Sequence, residues 1–400
     1  MKKIIILFGH KAAVKAAKSV GLYVINILER DMLHSTFLNA SKIADHTIIL
    51  GTLNELEETV CGLLNKDVIG VVSFTDTRDG VRSAATFMEK YLSQDRLMSL
   101  NSVDTLLRKD RTRTLLRQIN QAVVAHIVPH DISEVTSFIE QHGRSILKPI
   151  SGQASEDITL LASSLDAEAL TSVQRQKLPL GLYILEEFID GEEYSVESIT
   201  ANGRTIILGI TQKSKISLAL PHCEFVEMGH TFPASVSGTV NSKIQNAVIS
   251  IFDSLDIRTA LGHTEVIVKR GEPYIVESHL RAGGDCIPEL VERVTGYSPY
   301  KLFFMGMLGL EIPSLKYSGR ARIQYYIPER LGYIDSVQFE RSDHDFGDSV
   351  KNRLDFAEKE VTPIRSSFDR KWGYVIAYSE NPQETISSYL KQYTICFREQ

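Results

Sequence analysis

Ile4 to Phe8 form an unbroken apolar run that stops at Gly9, and residues 22–28, 44–50 and 68–74 read as three further strands. Between them, residues 11–20, 53–65 and 79–92 carry apolar positions at helical spacing. Strands that alternate with helices predict an α/β fold, here a parallel sheet covered by helices over residues 1–95. Residues 103–119 predict a basic helix with Arg108, Lys109, Arg111, Arg113 and Arg117. A strand over 123–128, ended by Pro129, leads to a helix over 133–141 with Ser133 as its N-cap. Residues 145–148 and 183–189 predict strands, the first closed by Pro149 and the second by the turn Asp190-Gly191. Residues 193–200 and 205–210 form a hairpin across Asn202-Gly203. Helices are expected at 239–255, 288–294, 300–308 and 382–391, with mixed strand and turn after residue 321.

The hairpin over 262–281 carries the chemistry. Glu265 and Glu277 lie symmetrically about Gly271. An odd loop centred on that glycine sets them opposite each other on one face, and strand parity adds His263, His279 and Arg281 to that face. Val266, Val268, Tyr274 and Val276 take the other face as a core face. An even loop would send the two glutamates to opposite faces. Facing carboxylates repel unless a cation lies between them, and magnesium, with phosphate oxygens completing its shell, is the usual solution. Arg281 beside them can hold an anionic oxygen. Two readings compete: solvated glutamates on an edge hairpin, and a zinc site of two His and two Glu, which leaves Arg281 unexplained.

Composition narrows the classes. A net charge of −6 argues against nucleic acid as the main partner. No apolar run is long enough to span a bilayer or to serve as a signal peptide. Cys61, Cys223, Cys286 and Cys396 are scattered without a CxxC pair, which suits free thiols in a reducing cytoplasm.

Lys148 ends a short strand, and a polar loop with Gly152 and Ser155 follows it. A lysine there can reach a phosphate, and small residues let backbone N–H groups approach phosphate oxygens. An ordinary surface turn is the competing reading, and the Walker pattern is absent. The stretch Glu186, Glu187, Phe188, Ile189, Asp190, Gly191 and Glu193 runs from strand through turn to strand, an edge that can pair with adenine while its carboxylates accept from amino or hydroxyl groups.

In order along the chain stand Lys109, Leu147-Lys148-Pro149, residues 186–197, His263-Thr264-Glu265, and Glu277 through Asp285. Taken together these resemble the ATP-grasp carboxylate-amine ligases, and among them the bacterial L-amino-acid ligases that make dipeptides. The resemblance covers nearly the whole chain. It implies an N-terminal Rossmann-like domain over 1–95, a linker helix and central lid subdomain over 96–190, and a mixed-sheet catalytic domain over 191–400 with a terminal subdomain at 315–400. It implies ATP with magnesium, or manganese in its place. Lys109 and Lys148 would contact ATP, and the loop 150–156 with Gly152 and Ser155 would close over the triphosphate. Glu186, Glu187, Phe188 and Ile189 would lie at adenine, and Glu193 at the ribose. Glu265, Glu277 and His279 would hold metal. Arg281 would steady the acyl phosphate, His263 would lie near the incoming amine, and Gly283 and Gly284 would leave room for substrate. His279 stands where the family usually has Asn in a Glu-x-Asn pattern; a neutral imidazole can bind metal and a protonated one cannot. The implied reaction joins two small molecules, amino acids above all, through an acyl phosphate, in a cytoplasmic enzyme with a homodimer as one candidate assembly. Its rivals are another ATP-grasp chemistry, such as a biotin-carboxylase-like or nucleotide-biosynthetic ligase, and a nucleotide-binding protein that has lost catalysis.

Overall fold

The computed structural model describes residues 1–33, 35–92, 97–152, 156–215, 225–340 and 346–398. At the N-terminus β1 (Lys3–Leu7) lies between β2 (Tyr23–Glu29) and β4 (Val68–Ser73), with β3 (His46–Leu50) outside β2, all parallel. Ile4 to Leu7 are fully buried because helices cover both faces of the strand. The turn after β1 is pinned by a buried amide: Gly9 N–H donates to Asn26 Oδ1 at 3.0 Å, and Asn26 Nδ2 donates to Gly9 C=O at 3.1 Å. Any Cβ at residue 9 would fall 2.5 Å from that Oδ1, so this contact requires glycine. His10 then caps the helix Lys11–Ser19, its side chain accepting from Ala13 N–H.

A second sheet contains β5 (His126–Ile127), β6 (Ser145–Pro149), β7 (Thr159–Leu161) and β8 (Tyr183–Glu187) in the order β5-β8-β6-β7. The strand expected over 123–128 is thus only two residues long. The helix Ile132–His142 packs Val135, Phe138 and Ile139 onto Leu147, Leu161 and Leu185. Its cap is Asp131, not the expected Ser133; the Asp131 carboxylate reaches Glu134 N–H at 2.9 Å. The basic segment is two helices, Leu100–Leu107 and Lys109–Gln118, because Arg108 is extended between them. That break frees Lys109 N–H to donate to Ile150 C=O at 3.0 Å, which ties the second helix to the second sheet.

The third sheet positions the chemistry. It holds β9 (Glu192–Ala201), β10 (Arg204–Lys215), β11 (Glu227–Phe232), β12 (Ala260–Lys269), β13 (Glu272–His279) and β14 (Arg320–Tyr325). Among the described residues its order is β13-β12-β9-β10-β11-β14, continued by two strands, Tyr374–Ser379 and Val350–Asn352. The hairpin β9–β10 turns at Asn202-Gly203, both at positive φ, as its Asn-Gly pair dictates. On one face Tyr194, Val196, Ile210, Val266 and Ile275 pack under the helix Gly238–Ser254. The other face is apolar at one end, where Ile199, Leu261 and Ile323 join the main core, and polar at the other.

The β12–β13 turn departs from expectation. Lys269 pairs with Glu272 across a two-residue loop, Arg270-Gly271, with φ of 53° and 77°. That loop is even and alone would separate the two glutamates. A β-bulge corrects it: Val266 pairs with Ile275 but Glu265 pairs with Glu277, which leaves Val276 as the extra residue. His263 pairs with His279. The bulge also changes the core face, where Val266 and Ile275 are buried while Tyr274 and Val276 are only half-buried.

Candidate active site

A cavity of about 610 Å³ opens between the second sheet and the polar face of the third. The register decides what lines it. Glu265 stands opposite Glu277 and Ser195, His263 opposite His279 and Glu197, and Lys213 opposite His230. Directly opposed residues share a face, so five neighbouring strands aim charged or polar groups the same way.

At one end lies a buried triad. Glu186, 3% exposed, accepts from Arg113 Nε and Nη2 at 2.7 and 3.1 Å and from Lys148 Nζ at 2.7 Å. Burial alone would raise its pKa, but Arg113 and Lys148 bring it down to about 2. Burial lowers the Lys148 pKa, against the pull of Glu186. Arg113 Nη2 also donates to Val276 C=O at 3.0 Å, so the bulge is braced from the helix Lys109–Gln118. Val124, Ile146, Glu187, Phe188 and Ile189 give this end a flat, largely apolar wall.

In the middle lie the paired glutamates. Lys109 Nζ is 3.0 Å from Glu277 Oε2, and Lys213 Nζ is 2.8 Å from Glu265 Oε1 and 2.7 Å from Glu227 Oε1. Lysines thus supply the positive charge that two facing carboxylates need. Burial opposes ionisation of both glutamates, yet Lys213 draws Glu265 down to about 2, and Lys109 with His279 holds Glu277 well below the usual range. His263 Nδ1 lies 2.6 Å from Glu197 Oε1, and Gly283 N–H donates to Glu197 Oε2 at 3.1 Å. Burial would lower the His263 pKa, but Glu197 and Glu265 raise it to about 9, so the ring is a cation at neutral pH. Arg281 is held by Asp76, from the N-terminal sheet end, and by its own bond to Ala282 C=O at 2.9 Å.

At the far end Asp285 is saturated. It accepts from Arg370 at 2.8 and 2.9 Å and from Tyr325 Oη–H at 2.9 Å, with His230 Nε2 at 3.2 Å. The Arg370 guanidinium also stacks 3.7 Å over the Tyr325 ring. Glu227, His230 and Asp285 present donor atoms within 4.8 Å of one another. Lys213 and Arg370 already neutralise those carboxylates, which leaves little call for a metal there.

Of the residues singled out from sequence, Lys109, Lys148, Gly152, Glu186, Glu187, Phe188, Ile189, Glu193, His263, Glu265, Glu277, Arg281 and Gly284 all line this cavity. Glu193 pairs with Lys215 at 2.8 Å. His279 lies behind the wall, 7% exposed. Gly283 is packed against the His263–Glu197 pair, where a Cβ would fall 2.8 Å from His263 Nδ1, so its missing side chain serves that contact; Gly284 faces open space. Ser155 lies outside the described residues, as does part of the loop 150–156. Sequence reasoning missed Asp76, Glu197, Lys213, Glu227, His230, Asp285, Tyr325 and Arg370. Glu197 was within reach, since the strand over 193–200 was foreseen and parity fixes its face; Lys213 lies past the strand foreseen over 205–210 and beyond a bulge between Ile207 and Gly209, and Asp76 and Arg370 are brought in by tertiary packing alone.

Residues 144–289 match the family model for the ATP-grasp domain. A D-alanine–D-alanine ligase from Christiangramia forsetii is 29% identical over 131 residues, a match that covers 30% of this chain and 38% of that relative's length. Over the whole chain the fold is similar to that of an L-amino acid ligase from Bacillus licheniformis, with a TM-score of 0.75, 16% identity, and coverage of 100% of this chain and 99% of the other. It is also similar to the biotin carboxylase domain of the Hydrogenobacter thermophilus 2-oxoglutarate carboxylase, solved with MgADP and bicarbonate, with a TM-score of 0.73, 15% identity, and coverage of 100% and 92%. Residues 144–289 are thus similar to an ATP-grasp domain, and the whole chain shares the mixed α/β fold of these structures.

Proposed function

We propose that this protein is an ADP-forming carboxylate-amine ligase that activates one amino acid as its acyl phosphate and joins it to the amine of a second. The observation that carries this reading is the alignment within one cavity of an apolar slot, three lysines, two facing glutamates and Arg281, which is held by Asp76. That is the order of groups a nucleotide base, its phosphates and an activated acyl group would meet. The sequence match to a D-alanine–D-alanine ligase supports an amino acid rather than bicarbonate as the acid that is phosphorylated.

In this reading adenine lies against Phe188 and Ile189, with Glu193 at the ribose. Glu186 acts through the cations it positions rather than on the base itself, since Arg113 and Lys148 occupy both its oxygens. Lys109 and Lys148 face the phosphates, and the loop containing Gly152 closes over them. Glu265 and Glu277, with the buried nitrogens of His279 beside them, fit a divalent metal. Magnesium or manganese there would neutralise the triphosphate and polarise its terminal phosphoryl group. Metal at the two glutamates would release Lys109 from Glu277 and Lys213 from Glu265, which frees both lysines to meet phosphate oxygens. Arg281, held by Asp76, points its guanidinium at the acyl oxygen that gains charge during attack. His263, a cation by virtue of Glu197, adds a second donor there. Closure of the loop excludes water that would otherwise hydrolyse the acyl phosphate. Residues 1–95, 96–190 and 191–400 would then serve as base, lid and catalytic sheet, in a reducing cytoplasm that suits the free thiols Cys61, Cys286 and Cys396.

The test is phosphate release from ATP and magnesium against amino acids, singly and in pairs, with mass detection of products. Release that needs two amino acids and yields a condensed product is expected. Release driven by bicarbonate in place of an amino acid would make bicarbonate the activated acid, a carboxylation chemistry, and failure to bind ATP would overturn the reading.

A further inference from the structure

His279 is out of keeping with an all-oxygen magnesium site. It is 7% exposed, and among the described residues neither ring nitrogen has a hydrogen-bond partner of acceptable geometry. Both nitrogens nevertheless face carboxylates: Nδ1 is 3.2 Å from Asp76 Oδ2, and Nε2 is 3.2 Å from Glu277 Oε1. These two contacts are what balances the buried ring without a metal, and an ion would take the place of the direct contact between Nε2 and Glu277. Two ligand atoms at adjacent corners of an octahedral ion, with bonds of about 2.1 Å, lie about 3 Å apart. The Nε2–Oε1 separation is therefore the spacing at which one ion takes both atoms. On the opposite side of the ring Asp76 stands where metal-bound histidines have their outer carboxylate, which fixes the proton on Nδ1 and turns Nε2 to the metal. Asp76 comes from the loop after β4, a different sheet from His279. It also holds Arg281, so one carboxylate orients both groups.

We infer that Glu277 and His279, with Asp76 as the positioning residue, form a nitrogen-containing metal site that takes a first-row transition ion, manganese or cobalt, in preference to magnesium. The chemistry of the donors sets the preference. Magnesium is hard, favours oxygen and gives up its water reluctantly, whereas imidazole binds transition ions progressively better along the series from manganese. The inference rests on the proposed placement of metal at the paired glutamates, but not on the ligase reaction.

The experiment is Mn²⁺ binding to the full chain without nucleotide or substrate, followed by electron paramagnetic resonance. Pulsed measurement of ¹⁴N modulation reports directly on a bound nitrogen. The wild-type protein should bind Mn²⁺ at least tenfold more tightly than Mg²⁺ in competition and should show ¹⁴N modulation. His279→Asn should abolish the modulation and bring the two affinities within a few-fold of each other. Asp76→Asn should weaken Mn²⁺ binding about tenfold or more, the usual effect of losing an outer carboxylate. Circular dichroism and thermal unfolding establish that each variant is folded; should Asp76→Asn fail to fold, the modulation and the His279→Asn comparison still decide. Bound Mn²⁺ without ¹⁴N modulation, or unchanged selectivity in His279→Asn, would overturn the inference. These readouts need no turnover, so a failed ligase assay would count against the proposed reaction and leave the metal result standing.

Discussion

Glu186 shows how much of this site is held by buried charge. Removing one partner from a buried ion pair leaves the others uncompensated and costs about 3–5 kcal/mol. Glu186→Ala should therefore lose stability on that order in a denaturant titration. The sign of its pH dependence follows from its folded pKa of about 2 against an unfolded value near 4.5. The stabilisation is complete above the unfolded value and fades as pH falls towards the folded one. Acid unfolding of Glu186→Gln should lack that component. Glu277→Gln, by contrast, removes a charge that faces the cavity. ADP formation should fall about a hundredfold or more while thermal unfolding stays cooperative; near-normal turnover would remove Glu277 from the metal site. Glu265 and Glu277 were legible in the sequence because strand parity needs only local spacing. Lys213 and Arg370 were not, since their partners Glu227, Glu265 and Asp285 come from distant segments.

The elements themselves were written mostly in local pattern. The buried run of β1, the Asn202-Gly203 turn and the helix Gly238–Ser254 all follow from periodicity and turn chemistry. The break at Arg108 and the bulge at Val276 do not, because each is stabilised by a partner far away: Ile150 C=O for the first, Arg113 for the second. The hairpin was read to the correct pairing of glutamates through the wrong loop. Its even turn needs φ of 77° at Gly271, so Gly271→Ala should cost about 1 kcal/mol in unfolding free energy. A second element-scale test concerns the first helix. His10 caps it as a neutral acceptor, and burial lowers the His10 pKa to about 4 from an ordinary 6.5. The unfolded chain takes up the proton first, so stability should fall as pH drops from about 6.5 to 4. His10→Asn, which keeps a capping oxygen without that titration, should flatten the pH dependence of the unfolding temperature in this window.

Across the whole molecule, two sheets flank one cavity, Arg370 from the C-terminal segment lines it, and Asp76 from the loop after the N-terminal sheet holds Arg281 in its wall. In the proposed reaction this arrangement would position a nucleotide and two further reactants together, with most of the rate derived from orientation and charge. The central claim is that a carboxylate is phosphorylated by ATP before an amine attacks it. Isotope transfer tests this step without reference to any one residue. The protein is incubated with ATP, a divalent metal, an amine partner and an acid whose carboxylate carries ¹⁸O, and the phosphate released is analysed by mass. Acyl-phosphate chemistry requires one carboxylate oxygen to leave with that phosphate, so ADP should form together with ¹⁸O-labelled phosphate and an amide that has lost one label. Unlabelled phosphate, or AMP and pyrophosphate in place of ADP, would contradict the account.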